Sequence, residues 1–409
     1  MPFVSRWTDV SVAAGARAVS TCGDVLAATV LALALQKSGA GGGAISALLL
    51  AAAFPLVVLA PITGRIADRV DSRVVLIGTG LAQAAVATVL AFAQSTVMII
   101  ALVGVLSCGL ALTQPTLAAL LPAMVRAADL PRASGVTQTA STTGMLLAPP
   151  LAGLLVGSFG TRVPLLLDAA TYLAPVVAGL VLRTRRTAGP VAAASPVAWR
   201  LRGDRLLTVM VIAVAAVVGG VGAINVIEVF FIRADLGAST TMFGLVSGAW
   251  AAGQLVGAVV FARLARGRRP GDLIWGVLIF LAGCCVAVLG GSAVPRAALL
   301  IPLWLAGGAC NGGLNVYTTV IVGLRVPAAA RGRAFAVEGA AVQGAGMAGL
   351  LLGGMLVDHF DARLLVAAAG LAGLLAVLVC APPVARAVRD KAQPGATGHP
   401  VRAGDSVGS

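Results

Sequence analysis

Four carboxylates interrupt stretches of this chain that are otherwise apolar. Asp24 and Glu228 lie deep within two such stretches, whereas Asp168 and Glu338 lie about one turn from the end of theirs. Burial disfavours the charged form of a carboxyl group, so an ionisable residue in an apolar stretch is costly and is a candidate functional group. Such a group can exchange a proton for a cationic ligand. We therefore predict that Asp24 and Glu228 are functional and that Asp168 and Glu338 make ordinary polar contacts.

Uncharged polar side chains in the same stretches are candidates for the lining of a pocket. Aromatic residues make up only 4% of the chain, so we expect mainly aliphatic walls, which suit a bulky hydrophobic solute better than a sugar. One candidate segment, CNGGLNVY at 310–317, is rich in glycine and could bend. The polar candidates are Gln138, Asn225, Asn311, Asn315, Tyr317 and Gln343.

No sequence pattern for enzymatic chemistry accompanies these residues. The two histidines, His359 and His399, lie at the end of an apolar stretch and close to the end of the chain. The sequence contains no HExxH, P-loop or nucleophile elbow, so we expect no enzyme, no ATP drive, no metal site and no cofactor. The six cysteines lie within apolar stretches and lack metal-ligand spacing, so we expect them to be packing residues.

The composition indicates that these stretches cross a membrane. Hydrophobic residues make up 59% of the 409 residues and the mean hydropathy is +1.00, whereas soluble domains are roughly half apolar. The uncharged runs approach the roughly 20 residues that a helix needs to span a bilayer, and they lack the alternation of a membrane barrel. We predict an all-α integral membrane protein with twelve transmembrane helices, at about 10–35, 41–63, 74–94, 97–123, 133–158, 163–182, 206–232, 240–262, 272–291, 297–324, 334–357 and 362–382.

The basic residues alternate from loop to loop. Most of the 29 Lys and Arg residues fall in one set of alternate loops, which the positive-inside rule assigns to the cytoplasm. This distribution explains the net charge of +14 without a nucleic-acid partner. We expect a multi-pass protein of the cell inner (plasma) membrane, embedded in the lipid bilayer, with both termini in the cytoplasm.

The chain divides into two similar halves. We predict an N-terminal six-helix bundle at 1–182, a cytoplasmic linker at 183–205, a C-terminal six-helix bundle at 206–383 and a disordered cytoplasmic tail at 384–409. A shift of 198 residues places KSGAGG, which begins at Lys37, opposite DLGAST, which begins at Asp235. An internal repeat of six spans predicts two bundles with a cavity between them and transport by alternating access.

The segment GRIADRVDSR, between the second and third spans, carries five charges in ten residues. Gly64, Asp68, Arg69 and Arg73 resemble the signature that the major facilitator superfamily carries in this loop, although Asp71 stands where that family usually has Gly. Together with the twelve-span plan, the resemblance covers nearly the whole chain. It implies the major facilitator fold, with two six-helix bundles.

In that family the segment acts as a cytoplasmic latch. The resemblance implies that Asp68 lies against the N-terminus of the eleventh span, near Arg331–Arg333, where the helix dipole favours a negative charge. Closing this contact would shut the cytoplasmic side. Arg266 stands at the repeat-equivalent position of Asp68, so we expect the second half to lack such a latch. The alternative is that these charges only anchor a loop at the lipid headgroups.

The fifth span contains TTGMLLAPPLAG, which resembles the exporter motif of the superfamily. Gly144, Pro149 and Gly153 match the motif, and Ala148 replaces the Gly before the proline. In the family this motif accompanies drug–proton antiport. Proline removes a backbone hydrogen bond and small residues let helices pack closely, so ordinary close packing is the alternative reading.

Three further segments resemble the macrolide-efflux and siderophore-exporter branch: SxxGD at 20–24, LLP at 120–122 and RGRAFAV at 331–337. Many drug–proton antiporters carry an Arg in the fourth span, but this chain has no basic residue between Thr96 and Val125. Proton coupling here must therefore use other groups. The first and seventh spans line the cavity in the family, which favours Asp24 and Glu228 as proton or cation sites.

The resemblance implies a secondary active transporter that works as a monomer. It would export a hydrophobic drug or natural product by proton antiport, with that small molecule and protons as its ligands. One alternative is an importer or facilitator of a small metabolite, against which the motif in the fifth span counts. Another is a non-transporting membrane receptor or scaffold, which would need neither the latch nor paired carboxylates.

Overall fold

The computed structural model describes residues 5–126, 129–184, 201–265, 267–327 and 330–392. These residues form helices, and no strand occurs among them. Eleven helices in this part of the chain are long and apolar enough to cross a membrane, and a shorter apolar helix, Gly42–Val58, lies between the first two. This number agrees with the predicted twelve spans.

The first half contains six spans built from eight helices. The second span is divided into α2 and α3, and the sixth into α7 and α8. The helices are α1 (Trp7–Lys37), α2 (Gly42–Val58), α3 (Ala60–Arg69), α4 (Ser72–Leu90), α5 (Thr96–Met124), α6 (Leu130–Phe159), α7 (Arg162–Thr171) and α8 (Leu173–Val181).

The second half repeats this plan. Its first span is divided after a glycine-rich stretch and ends in a short π-helix, Phe231–Asp235. The helices are α9 (Arg205–Val221), α10 (Ile224–Phe230), α11 (Thr240–Leu264), α12 (Pro270–Ser292), α13 (Leu300–Arg325), α14 (Arg331–Val357) and α15 (Ala362–Ala392).

Equivalent helices pack together in the two halves. In the first half α1 packs on α6, α2 on α5, and α4 on α5 and α8. In the second half α9 packs on α14, α11 on α13, and α12 on α13 and α15. Counted by span within each half, both sets are the first span with the fifth, the second with the fourth, and the third with the fourth and the sixth. The internal repeat predicted from the sequence is therefore also a repeat of packing.

Twelve crossings place the start of α1 and the end of α15 on the same side of the membrane. We call this side the terminal face and the other side the distal face. The halves meet through α6 with α11 and through α2 with α14, and α10 also contacts α1 and α2. The close approaches at these interfaces lie in the distal parts of the helices.

Two predicted loops differ from the structure. The segment that begins at Gly64 was expected between two spans, but α3 continues through it to Arg69. A helix can restart there because Pro61 stands in its first turn, where a missing N–H costs nothing.

The predicted tail begins inside α15, which continues to Ala392. Ala and Arg have high helix propensity, and positive charges are favourable at the C-terminal end of a helix. Residues 185–200 of the predicted linker, 393–409 of the predicted tail, and Arg266 lie outside the described residues.

Candidate functional site

Several polar side chains at the middle of the spans are exposed. Gln138 on α6, Asn225 on α10, Asn315 on α13 and Gln343 on α14 are all exposed. Exposed amides would be costly against lipid, so their presence on four helices from both halves indicates a water-accessible cavity. Because the halves meet near the distal face, this cavity opens towards the terminal face.

Two of the six predicted lining residues are placed differently. Asn311 is only partly exposed, and its side-chain oxygen accepts hydrogen bonds from the amides of Gln254 and Asn315. Tyr317 is 4% exposed and does not line the cavity. Its ring packs 5.0 Å from that of Phe280, inside the core of the second half. Asn315 and Tyr317 are two residues apart, so a helix turns them towards nearly opposite sides.

On the distal face, the cavity is closed by a carboxylate that reaches from one half to the other. Asp358, at the end of α14, accepts hydrogen bonds from the backbone N–H groups of Gly42 and Gly43 at the start of α2, at 2.7 and 3.4 Å. The N-cap residue of α2, Gly41, has no side chain that could make this bond. Asp358 therefore caps a helix of the other half.

Close helix packing completes the distal closure. The hydroxyl of Ser46 on α2 donates to the carbonyl of Leu350 on α14 at 2.6 Å. On the other side of the cavity, a Cβ on Gly153 would collide with the carbonyl oxygen of Thr240, and one on Gly244 with that of Pro149. Backbones this close require glycine, so the two halves are in direct backbone contact at these points.

The predicted exporter motif lies at these contacts. Gly153 and Pro149 are at the interface of α6 with α11, whereas Gly144 faces α1, where an added Cβ would collide with the carbonyl oxygen of Ala18. The motif thus lets α6 pack closely against α1 of its own half and against α11 of the other half.

Asp24 lies inside the first half rather than in the opening between the halves. Its Oδ1 accepts a hydrogen bond of 2.7 Å from the hydroxyl of Tyr172, the residue at the break between α7 and α8. Asp24, Tyr172 and Asp168 line one cavity of about 80 Å³ among α1, α2, α4, α5 and α7. That volume holds a few water molecules, whereas drug-sized ligands occupy roughly 300–1,000 Å³.

Asp168, for which we predicted an ordinary polar contact, is buried inside the first half. It is 1% exposed, because α7 turns it towards α1 at Gly23, where the missing side chain leaves room for its Oδ1. The hydroxyl of Thr171 donates weakly to that oxygen at 3.4 Å, and Oδ2 has no hydrogen-bond partner. The sequence carries one signal that could have found this group, because Asp168 and Tyr172 are four residues apart and share a helix face.

Glu228 lies on α10, in the first span of the second half. Its Oε1 accepts a hydrogen bond of 2.8 Å from the hydroxyl of Ser247 on α11. No Lys or Arg of the described chain forms an ion pair with Glu228 or Asp24. Both carboxyl groups are therefore held by neutral donors within the membrane.

The residues of the predicted latch lie on the terminal face. Arg73 donates to the carbonyl of Leu180 at 3.1 Å, so it binds the end of α8 within its own half. Asp71 caps α4 by accepting from the N–H of Arg73 at 2.7 Å. Arg69 is exposed, and the structure describes the backbone of Gly64 and Asp68 but not their side chains. Arg331, at the start of α14, binds the carbonyls of Gly323 and Val326 within the second half.

Comparison with known proteins agrees with this architecture. Residues 15–396 match the transmembrane secretion effector family. The chain belongs to that family. It is a transporter of the major facilitator superfamily and not an enzyme, which confirms the fold that the sequence predicted.

Relatives of this secretion effector family member share about a quarter of its residues. The multidrug resistance protein MdtG of Proteus mirabilis (strain HI4320) is 25% identical over 75% of this chain and 77% of its own. The uncharacterized MFS-type transporter YfiS of Bacillus subtilis (strain 168) is 24% identical over 85% of this chain and 86% of its own.

Solved structures of low identity share the fold. A mutant of the nucleoside transporter NupG matches with a TM-score of 0.75 and 14% identity, over 91% of this chain and 99% of its own. A bacterial homologue of the iron transporter ferroportin, in an inward-facing state, matches with a TM-score of 0.73 and 16% identity, over 93% of this chain and 100% of its own. The distal closure of this transporter agrees with an inward-facing state if the terminal face is cytoplasmic.

Proposed function

We propose that this transporter exports a hydrophobic small molecule, a drug or natural product, by proton antiport. The observation that carries the proposal is that the first span of each half contains a carboxyl group, Asp24 and Glu228, which accepts a hydrogen bond from a neutral hydroxyl. A carboxyl group with no cationic partner in a membrane is stable when protonated and costly when ionised. Each can therefore bind a proton on one side and release it on the other.

The direction of transport is supported by two further observations. The relative named a multidrug resistance protein is similar over three quarters of this chain. In addition, Gly144, Pro149 and Gly153 of the exporter motif lie where α6 packs against α1 and α11. The aliphatic composition of the spans suits a hydrophobic solute, and the polar amides of the central cavity supply a few hydrogen-bonding groups to orient it.

The experiment replaces both carboxyl groups by amides. A drug-susceptibility panel in an efflux-deficient host first supplies a substrate. Efflux is then measured in proteoliposomes with and without an imposed proton gradient. The Asp24→Asn, Glu228→Gln double variant should lose uphill efflux, with downhill exchange retained, because amides keep the size and hydrogen bonding of the side chains but cannot bind a proton.

A matched amide substitution tests whether the effect is specific. Asp272 lies exposed in the first turn of α12, on the terminal face, and Asp272→Asn should leave uphill efflux unchanged. The proposal fails if the double variant still concentrates the drug at the wild-type rate under a proton gradient. It also fails, in favour of a facilitator, if the wild-type protein equilibrates the substrate but never concentrates it.

A further inference from the structure

We propose that a basic pocket on the terminal face, lined by Arg6, Arg73 and Arg183, binds the phosphate group of an anionic membrane lipid. The pocket is open, has a volume of about 730 Å³, and is lined only by residues of the first half. It lies among the starts of α1 and α4 and the ends of α5 and α8. Its size is within the range of small-molecule sites, roughly 300–1,000 Å³.

The three arginines come from distant parts of the sequence and meet at this one pocket. Among the described residues that line it, none is acidic. Like charges repel, so three guanidinium groups around one opening are unfavourable unless an anion offsets their repulsion. Guanidinium N–H groups form paired hydrogen bonds with phosphate oxygens, so a phosphate group is an anion of matching geometry.

Two of the arginines are fixed by carbonyl groups at helix ends. The backbone N–H of Arg6 donates to the carbonyl of Met124, the last residue of α5, at 2.8 Å. One guanidinium nitrogen of Arg73 donates to the carbonyl of Leu180, near the end of α8, at 3.1 Å. A guanidinium group has five N–H donors, so this bond leaves others of Arg73 available to a ligand.

Arg183 is positioned by the residue that follows it. Thr184 donates from its N–H and its hydroxyl to Oδ2 of Asp9, at 3.0 and 2.6 Å, and both residues are buried. Arg183 itself is exposed and lines the pocket. The carboxylate of Asp9 is therefore occupied by Thr184. Two other carboxylates on this face are also engaged, because Asp71 accepts from a backbone N–H and Asp129 from a serine hydroxyl.

The described part of the chain gives two of the arginines no partner for their charge. Neither the side chain of Arg6 nor that of Arg183 forms a hydrogen bond or an ion pair with a described residue. The sequence that adjoins the pocket, at 1–4 and 185–200, contains no Asp or Glu. An anion that is not part of the chain would balance these charges.

Apolar side chains continue from the pocket along α8, which favours a lipid over a soluble phosphate compound. Leu180 and Val181 line the pocket and are 54% and 57% exposed. Val177 and Leu173 are exposed about one and two turns further along the same helix face. A lipid can place its phosphate in the pocket and an acyl chain along this face. Basic pockets at the cytoplasmic ends of spanning helices bind anionic head groups in this way.

The test measures lipid binding to the purified full-length protein. Native mass spectrometry counts the phosphatidylglycerol molecules retained by the detergent-solubilised protein as the lipid is titrated. The Arg6→Gln, Arg183→Gln double variant should weaken this binding at least roughly tenfold, because each Arg near an anionic head group strengthens binding about fivefold. Arg73 is left unchanged because it belongs to the predicted latch.

A matched double variant removes two arginines from the same face of the second half. Arg269 and Arg386 are both exposed there, and Arg269→Gln, Arg386→Gln should change the binding by less than about twofold. Equal losses in the two double variants would overturn the proposal, because the lipid would then respond only to the general positive charge of this face. If the first double variant does not fold, Arg183→Gln alone should weaken binding about fivefold.

Two further ligands identify what the pocket binds. Phosphatidylcholine carries a phosphate but no net charge, so it should bind the wild-type protein more weakly than phosphatidylglycerol. Glycerol 3-phosphate lacks acyl chains, so a large excess should not displace phosphatidylglycerol. Equal binding of the two lipids would overturn the proposal, and displacement by glycerol 3-phosphate would assign the pocket to a soluble phosphate compound instead. Lipid binding is measured without transport, so the result does not depend on the proposed function.

Discussion

At the scale of single residues, neighbouring aspartates can have different roles. Asp71 has a local role, because its carboxylate caps α4 by accepting from the N–H of Arg73. Asp68 lies in the last turn of α3, where a carboxylate is unfavourable to the dipole of its own helix. A favourable interaction with another group would offset this unfavourable dipole interaction. The family resemblance implies that this group is the N-terminus of α14.

We expect Asp68→Asn to cut transport at least roughly tenfold while membrane expression stays intact, a loss that corresponds to about 1.4 kcal/mol. Asp71→Asn should cost much less, because Asn is about as good a helix N-cap as Asp. The measurement is efflux of an identified substrate, normalised to the amount of protein in the membrane. Equal losses in the two variants would show that Asp68 is only another loop charge.

At the scale of helices, a charged side chain joins the end of α14 to the start of α2 across the two halves. The carboxylate of Asp358 binds two N–H groups at the start of α2, and a negative charge there is favoured by the helix dipole. The repeat-equivalent position in the first half is Gly157, near Thr240 at the start of α11. One distal contact is therefore held by a charge and the other by close packing.

We expect Asp358→Ala to open the distal face more often. Loss of two hydrogen bonds and a favourable helix-dipole interaction should cost about 1–2 kcal/mol, which shifts a two-state population roughly 5- to 30-fold. Spin labels at Lys37 and Leu364, one in each half on the distal face, would report the change as a larger fraction of long distances.

A matched substitution on the same face provides the control. Asp361 also caps a helix, because it accepts from the N–H of Arg363 at 2.8 Å, but both residues belong to the second half. Asp361→Ala should leave the distance distribution unchanged. Equal shifts in the two variants, or none in either, would remove Asp358 from the closure of the distal face.

At the scale of the whole molecule, the two halves touch near the distal face and separate towards the terminal face. The positive-inside rule predicts that the terminal face is cytoplasmic. The conformation is then the one that receives substrate from inside the cell. In this state Asp358 holds the distal side closed.

Single cysteines in a background without the six native ones should establish the orientation. We expect Pro190→Cys and Gly398→Cys, which lie outside the described residues, to react only from the cytoplasm. Phe159→Cys should react with an impermeant maleimide applied to intact cells. It is preferred to a cysteine at Gly160, whose φ of 71° disfavours a side chain. Labelling of position 190 from outside would contradict the orientation.

The sequence by itself determined the class of protein, the number of spans and the repeat. These follow from local properties, because the length and hydropathy of each run decide whether it can cross a bilayer. Their ends agree with the helices to within a few residues at most positions. The larger errors, at α3 and at the end of α15, occur outside the apolar core, where hydropathy no longer indicates where a helix ends.

Only the tertiary structure decided which polar groups meet. Tyr172 and Asp24 are 148 residues apart, and Gly42 and Asp358 are 316 apart. Asp168, for which an ordinary polar contact was predicted, is buried because α7 packs against Gly23 of α1. Tyr317 was expected in the cavity, yet its ring packs on Phe280. Hydropathy locates a residue along the membrane normal, but the rotation of each helix about its axis depends on the helices packed around it.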